Sequence, residues 1–327
     1  MDRSRDPVVK RPCLRAACYL LGLLLAGPVA AAQPVIDMHV HAWPYGADGP
    51  PDKAENIAAM EKSLAALQEH NVVLAAASGP AAFLDYWHQA APERLLLAPV
   101  LPCEGGLNPN WHRYTCFPDG AELPDLAWLR DQYESGTYQL MGEIFTQYAG
   151  MRYDDPRMLP YYALAEELGI PVAFHTHSAP PLTANNCCPN FRMSLGDPMQ
   201  LENVLVQFPQ LKVLIMHANP LVYPMLIDML AQYPQVYVEL SPFDRILVRE
   251  RFHELLKRFQ EGRMIRRVTF GTDGGDHGRS LAAYRSAKFL SARELDAILC
   301  GNAARFLGRP QACKVVNPTA RVQGEKE

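Results

Sequence analysis

The stretch Val35-Ile36-Asp37-Met38-His39-Val40-His41 decides the reading of this chain. Its apolar character predicts a strand over 35–39 that runs out into His-x-His. Side chains alternate faces with a period of two along a strand, so the two imidazoles share one face. Two neutral imidazoles on one face can grip a single transition metal. Four later strand-like segments each end in a further ligand type, namely Glu143, His175, His217 and Asp273.

Beyond this stretch, short apolar strands alternate with amphipathic helices. Strands are predicted at 35–39, 72–77, 95–101, 138–144, 171–175, 212–217, 236–240 and 267–271. Several are continuous apolar runs, such as Val213-Leu214-Ile215-Met216, as expected for parallel strands covered on both faces. The intervening segments show a 3.6-residue period. Ile57, Met60, Leu64 and Leu67 line one predicted helix face. Met158, Tyr161, Tyr162, Ala165 and Leu168 line another, with Asp155 as its cap, Pro156 at its first position and Gly169 as its stop. Val222, Met225, Leu226, Met229 and Leu230 line a third.

Eight strands separated by helices predict an α/β fold, a (β/α)8 TIM barrel formed by one domain over 33–308, with a polar tail over 309–327. A doubly wound sheet is disfavoured because no Gly-rich phosphate loop follows the first strand. In a barrel the C-terminal strand ends meet at one mouth. His39, His41, Glu143, His175, His217 and Asp273 all fall at such ends, whereas chance would scatter ionisable residues over both ends. Two long segments, 102–124 and 178–197, also follow strands and would overhang that mouth.

Residues 1–32 read differently. Arg3, Arg5, Lys10, Arg11 and Arg15 form a basic head, residues 16–26 are apolar, and Val29-Ala30-Ala31-Ala32 offers a small-residue cleavage site. This is the layout of a cleavable signal peptide, too short in its apolar core for a span of about 20 residues. The expected mature protein is exported, periplasmic or secreted, with no stable membrane anchor. The leader holds five of the 31 basic and two of the 35 acidic residues, so its removal takes the formal charge from −4 to −7. No basic stripe remains for a phosphate backbone, which argues against nucleic acid as a partner; the expected partner is a small-molecule substrate at the strand-end cluster. An oligomer interface is compatible with the apolar content.

Six of the eight cysteines lie beyond the leader. An even number in an exported chain favours disulfides. Cys103–Cys116 and Cys300–Cys313 would each close a short loop; Cys187 and Cys188 either pair with each other or stay free.

Taken together, Ile36-Asp37-Met38-His39-Val40-His41, His175, His217, Gly271-Thr272-Asp273 and the closing Gly301-Asn302-Ala303-Ala304-Arg305-Phe306-Leu307-Gly308 resemble the amidohydrolase superfamily, in its amidohydrolase-related branch of decarboxylase-like enzymes and lactone hydrolases. The resemblance implies that His39, His41 and Asp273 bind a first divalent metal, usually zinc. It implies that His175 joins that metal or, with His217, binds a second, and that Glu143 matches a carboxylate that bridges two metals in some hydrolases. In mononuclear members His217 acts instead as an acid/base.

The chemistry follows from charge. A divalent cation lowers the pKa of bound water from about 15.7 to near 7 and polarises a carbonyl. Asp273 can take a proton from that water and deliver it to a leaving group. The first functional reading is therefore a metal-dependent hydrolase of a lactone, ester or amide. The alternative is a metal-dependent non-oxidative decarboxylase, a lyase acting on an unsaturated or aromatic carboxylic acid. It needs a cation for the carboxylate, for which Arg152 and Arg192 are candidates. A binding protein that kept the barrel without turnover is the third reading. His177, Arg152 and Trp43 are the candidates for substrate contact.

Overall fold

The computed structural model describes residues 33–42, 49–103 and 116–314. The expected signal peptide, Trp43 and residues 315–327 of the tail lie outside the described residues, as does most of the first long loop.

Eight strands follow one another: β1 (Val35–His41), β2 (Val72–Gly79), β3 (Leu95–Pro99), β4 (Met141–Ile144), β5 (Val172–Phe174), β6 (Val213–Ile215), β7 (Val236–Glu239) and β8 (Val268–Thr269). Every ladder is parallel, and each strand pairs with its neighbour in sequence. The ladders form two arcs, β1-β2-β3 and β4 to β8. A parallel bridge between Leu101 and Ile144 joins β3 to β4. The Met38 N–H donates to Phe270 O at 2.9 Å and ties β1 to the segment that leaves β8. The ring is thus closed by hydrogen bonds, as a barrel requires to leave no edge.

Side chains from six of the strands, among them Ile36, Leu74, Leu96, Ala173, Leu214 and Tyr237, meet in one buried cluster that Ala303 and Phe306 of the C-terminal helix Asn302–Phe306 complete. A larger cluster lies between the strands and the helices. Both strand faces are therefore buried, which accounts for the continuous apolar runs.

Several element boundaries differ from expectation, each for a local reason. β1 runs on to His41 because Val40 and His41 still pair with Ala77 and Ser78. The helix expected from Pro156 begins at Leu159. Asp155 instead accepts the Arg157 N–H at 3.0 Å in the preceding turn. Gly169 ends that helix at φ 70°, a left-handed conformation that glycine adopts at little cost. The helix expected from Val222 starts only at Leu226. Pro220 and Pro224 keep the residues before them out of the helical region, and Val222 and Met225 are left exposed.

Three disulfides are present: Cys103–Cys116, Cys187–Cys188 and Cys300–Cys313.

Candidate metal centre

The six predicted ligands come from five strands and gather in one cluster at the barrel mouth, with Asp273 the most exposed of them. Side-chain exposure is 7 % or less for His39, His41, Glu143, His175 and His217, against 15 % for Asp273. The two imidazoles of β1 place their Nε2 atoms 3.2 Å apart. Glu143 Oε2 lies 3.3 Å from His39 Nε2 and 3.4 Å from His41 Nε2. Asp273 Oδ1 approaches the same two nitrogens at 3.5 and 3.3 Å. The other oxygen of Glu143 faces His217 Nε2 at 3.5 Å and His175 Nε2 at 3.8 Å. Glu143 therefore stands between two sets of imidazoles.

The backbone pays locally for this convergence. His217 and Asp273 have φ of 56° and 50°, left-handed conformations that cost a residue with a Cβ on the order of 1–3 kcal/mol. Both follow short strands whose ladders stop before them, so the chain turns their side chains into the mouth. Glu143 depends on Gly142, which has φ 108°. A Cβ there would lie 2.3 Å from Ala173 O and 2.9 Å from Ile144 N. Only glycine lets β4 approach β5 closely enough to carry the carboxylate.

Hydrogen bonds on the far side of each ring decide which nitrogen faces the centre. His39 Nδ1 lies 3.0 Å from Glu239 Oε1, an acceptor, so this nitrogen carries the hydrogen. His217 Nδ1 donates to Ser241 O at 2.5 Å. His175 Nδ1 faces Gln147 Oε1 at 2.9 Å, and the Gln147 amide donates to His177 O at 3.0 Å, which orients its oxygen toward the ring. In their neutral forms all three rings present an Nε2 lone pair inward, onto a carboxylate. Lone pairs and anionic oxygens at 3.2–3.8 Å repel unless a cation or protons lie between them. Without a cation the cluster takes protons. Burial works against charging His39, yet the carboxylates of Glu143 and Glu239 outweigh it and raise its pKa well above the ordinary value. His217 is raised in the same way against burial, by its hydrogen bond to Glu143 and the charge of Asp273. Burial opposes ionisation of Glu143 too, but His39 foremost holds its pKa well below the usual range. His175 is pushed down to about 3 by burial and by His217, so it stays neutral and its lone pair stays available. Two overlapping trios, His39–Glu143–His217 and His39–His41–Asp273, place their ligand atoms close enough to hold an ion. Neutral imidazoles with carboxylates suit zinc and similar divalent metals.

Sequence reasoning missed the groups behind the ligands. Glu239, fully buried at the end of β7, accepts from His39 Nδ1 and from the backbone N–H of His217, both at 3.0 Å. It also accepts from the Ser241 N–H and hydroxyl at 2.7 and 2.6 Å. Burial opposes its charge, but His39 and its other partners bring its pKa down to about 2. Its signal was legible: an acid closing the apolar run Val236-Tyr237-Val238. Asp37 accepts from the His39 N–H, from the Thr272 N–H and from the Thr272 hydroxyl, at 2.9, 3.1 and 2.6 Å, and so fixes β1 to the turn carrying Asp273.

Above the centre lies a cavity of about 540 Å³ with Glu143, His175, His217 and Asp273 at its floor and Phe145, Tyr148, Pro180, Pro181, Phe243 and Ile246 among its walls. His177 lines the wall and does not join the ligand cluster. Its ring packs against Phe243 at 5.0 Å. Arg152, expected as a substrate contact, is half exposed and pairs with Asp154 at 2.8 Å, because it follows the turn after β4 that leads outward. Arg192 donates to the carbonyls of Pro189 and Phe191. Neither arginine lines the cavity.

A closed α/β barrel with histidines and carboxylates gathered at the C-terminal mouth defines a class of metal-dependent enzymes. The chain belongs to the amidohydrolase family, whose sequence pattern matches residues 130–309. The match takes in Glu143, His175, His217, Glu239 and Asp273; the β1 histidines precede it. No curated protein matches the sequence. Among solved structures, the fold is similar to an uncharacterized TIM-barrel protein of Bordetella bronchiseptica (TM-score 0.58, 16 % identity, 85 % of this chain and 99 % of that one). It is similar to a probable 2-pyrone-4,6-dicarboxylic acid hydrolase of Acinetobacter baumannii (TM-score 0.54, 16 % identity, 84 % and 99 %). It is likewise similar to 2,6-dihydroxybenzoate decarboxylase from Rhizobium (TM-score 0.55, 13 % identity, 84 % and 99 %). At these identities the likeness is one of fold.

Proposed function

We propose that this protein is a metal-dependent hydrolase of a small, uncharged carbonyl compound, a lactone, ester or amide. The observation that carries the choice is the cavity wall: among the described residues, no lysine or arginine lines it. A desolvated carboxylate substrate needs a cationic partner, and beyond the metal ion itself the described cavity walls offer none. A neutral carbonyl needs none. The decarboxylase reading loses its two candidate cations, Arg152 and Arg192, for the same reason.

In this reading His39, His41 and Asp273 hold one divalent ion, zinc by preference, and Glu143 with His217 and His175 extends the site toward a second. Once bound, the ion supplies Lewis acidity, polarising a carbonyl oxygen and making water acidic enough to attack near neutral pH. Asp273 is the residue that moves the proton. Its carboxylate faces the cavity and receives a proton from the attacking water at a carboxylate oxygen, then returns it to the leaving oxygen or nitrogen. A positioned general acid/base of this kind contributes roughly 10²–10⁴-fold. Glu239 and Gln147 keep the Nε2 atoms of His39 and His175 turned inward. The apolar walls exclude water from the bound substrate. The three disulfides support export to an oxidising compartment.

The test is a substrate panel assayed with the zinc-loaded protein and after chelation. Hydrolysis of lactones or esters that chelation abolishes and zinc restores is the expected result. Release of CO₂ from aromatic acids with no hydrolysis would assign the lyase instead.

A further inference from the structure

The Cys187–Cys188 disulfide links adjacent residues, with Cα atoms 3.7 Å apart. The other two disulfides each span 13 positions. A cross-link stabilises a fold chiefly by closing a loop in the unfolded chain, and it does so more for longer loops. A bond between neighbours closes almost none. Its consequence is local.

Its location indicates what that consequence is. Cys188 is fully buried in the main core, while Cys187 is half-buried and lines the cavity above the metal centre. The backbone N–H groups of both cysteines donate to Thr183 O at 3.0 Å, so the turn is already held without the sulfur bond. The disulfide adds a restraint on side chains. It anchors the Cys187 sulfur to a core atom and replaces two thiols, which carry weak donors, with a fixed apolar surface. Pro180 and Pro181, on the same loop, and Phe243 and Ile246, the ends of the short helix Phe243–Ile246 that follows β7, line the same cavity.

We propose that the Cys187–Cys188 disulfide is a specificity-determining wall that receives the apolar body, alkyl or aryl, of a substrate whose carbonyl lies at the metal centre. The proposal rests on the hydrolase reading for the position of the carbonyl, but its test does not require turnover. Sulfur is polarisable and packs well against both methylenes and aromatic edges.

The probes are acetohydroxamate and octanohydroxamate, which chelate zinc and differ only in chain length. Their affinities for the zinc-loaded protein are measured by calorimetry for the wild type and for the double variant C187A/C188A. The wild type prefers the longer chain. In the double variant that preference falls by roughly tenfold, the worth of one to two buried methylenes. An undiminished preference would overturn the proposal. A second measurement uses the unaltered protein, so it holds even if the double variant does not fold. Octanohydroxamate should slow reduction of Cys187–Cys188 by a phosphine, read by alkylation and mass spectrometry, more than acetohydroxamate does. Equal reduction rates with and without the long ligand would also overturn it. Binding with chain-length discrimination but no hydrolysis of any lactone, ester or amide would refute the hydrolase reading and leave the wall intact.

Discussion

Replacing Glu239 by glutamine changes one oxygen to an amide nitrogen in a site with no room for error. The carboxylate accepts four hydrogen bonds, two on each oxygen. Oε1 faces the His217 N–H and His39 Nδ1; Oε2 faces the Ser241 N–H and hydroxyl. The serine hydroxyl can rotate to accept, but the two backbone N–H groups cannot. Whichever way the amide is turned, its NH₂ meets a backbone N–H. One buried donor is then left unsatisfied, at a cost of about 1–3 kcal/mol. The second effect falls on His39, which loses the anionic partner of its Nδ1. Loss of such a partner weakens metal binding by roughly 10–100-fold. E239Q should therefore melt at a lower temperature and bind zinc more weakly by that factor, as measured by competition with a chromophoric chelator. Zinc affinity equal to wild type in a folded E239Q protein would refute the reasoning that Glu239 sets the ligand geometry.

Other perturbations separate the parts of the site. D273N should fold normally and lose at least about 10²-fold in the rate of hydrolysis; a rate within a few-fold of wild type would remove Asp273 from the proton path. G142A should be destabilised by about 2 kcal/mol or more in chemical denaturation, because it adds a Cβ at φ 108° against the Ala173 carbonyl. Burial pushes the Asp244 carboxyl up from 3.8 to about 6. A raised carboxyl binds its proton more tightly in the folded protein, so both states are protonated below the lower value. As pH rises between the two values the unfolded chain ionises first and stability falls, by up to ~3 kcal/mol. D244N should remove that fall and be the more stable protein at pH 7, and denaturation curves that keep the wild-type pH dependence would contradict this.

What the sequence disclosed follows from its periodicities. A strand places residues 39 and 41 on one face whatever surrounds them, so the paired imidazoles were legible from His-x-His alone. The polarity of Glu143, His175, His217 and Asp273 was legible because each closes an apolar run. Glu239 closes such a run too, but it holds the ligands and does not touch the centre, a distinction that depends on where Ser241 and His39 meet it in space. Gln147 and Tyr148 lie in a loop whose path no periodicity encodes. The arginines misled for the same reason: Arg152 is eight residues beyond a strand end, where the chain has already turned outward to Asp154. The helix start near 222 failed at prolines, whose effect on the preceding residue outweighs a weak amphipathic pattern, and the start near 156 failed because Asp155 holds the Arg157 N–H in a turn ahead of the helix.

The central claim is that His39, His41, Glu143, His175, His217 and Asp273, drawn from five strands, surround one cationic site. Anomalous diffraction at the zinc edge from crystals of the zinc-loaded protein tests it most directly. The account predicts a peak within about 2.0–2.2 Å of the Nε2 atoms of His39 and His41 and of an Asp273 carboxylate oxygen. A zinc-loaded crystal with no peak among these residues, or with its zinc bound elsewhere on the barrel, would contradict it.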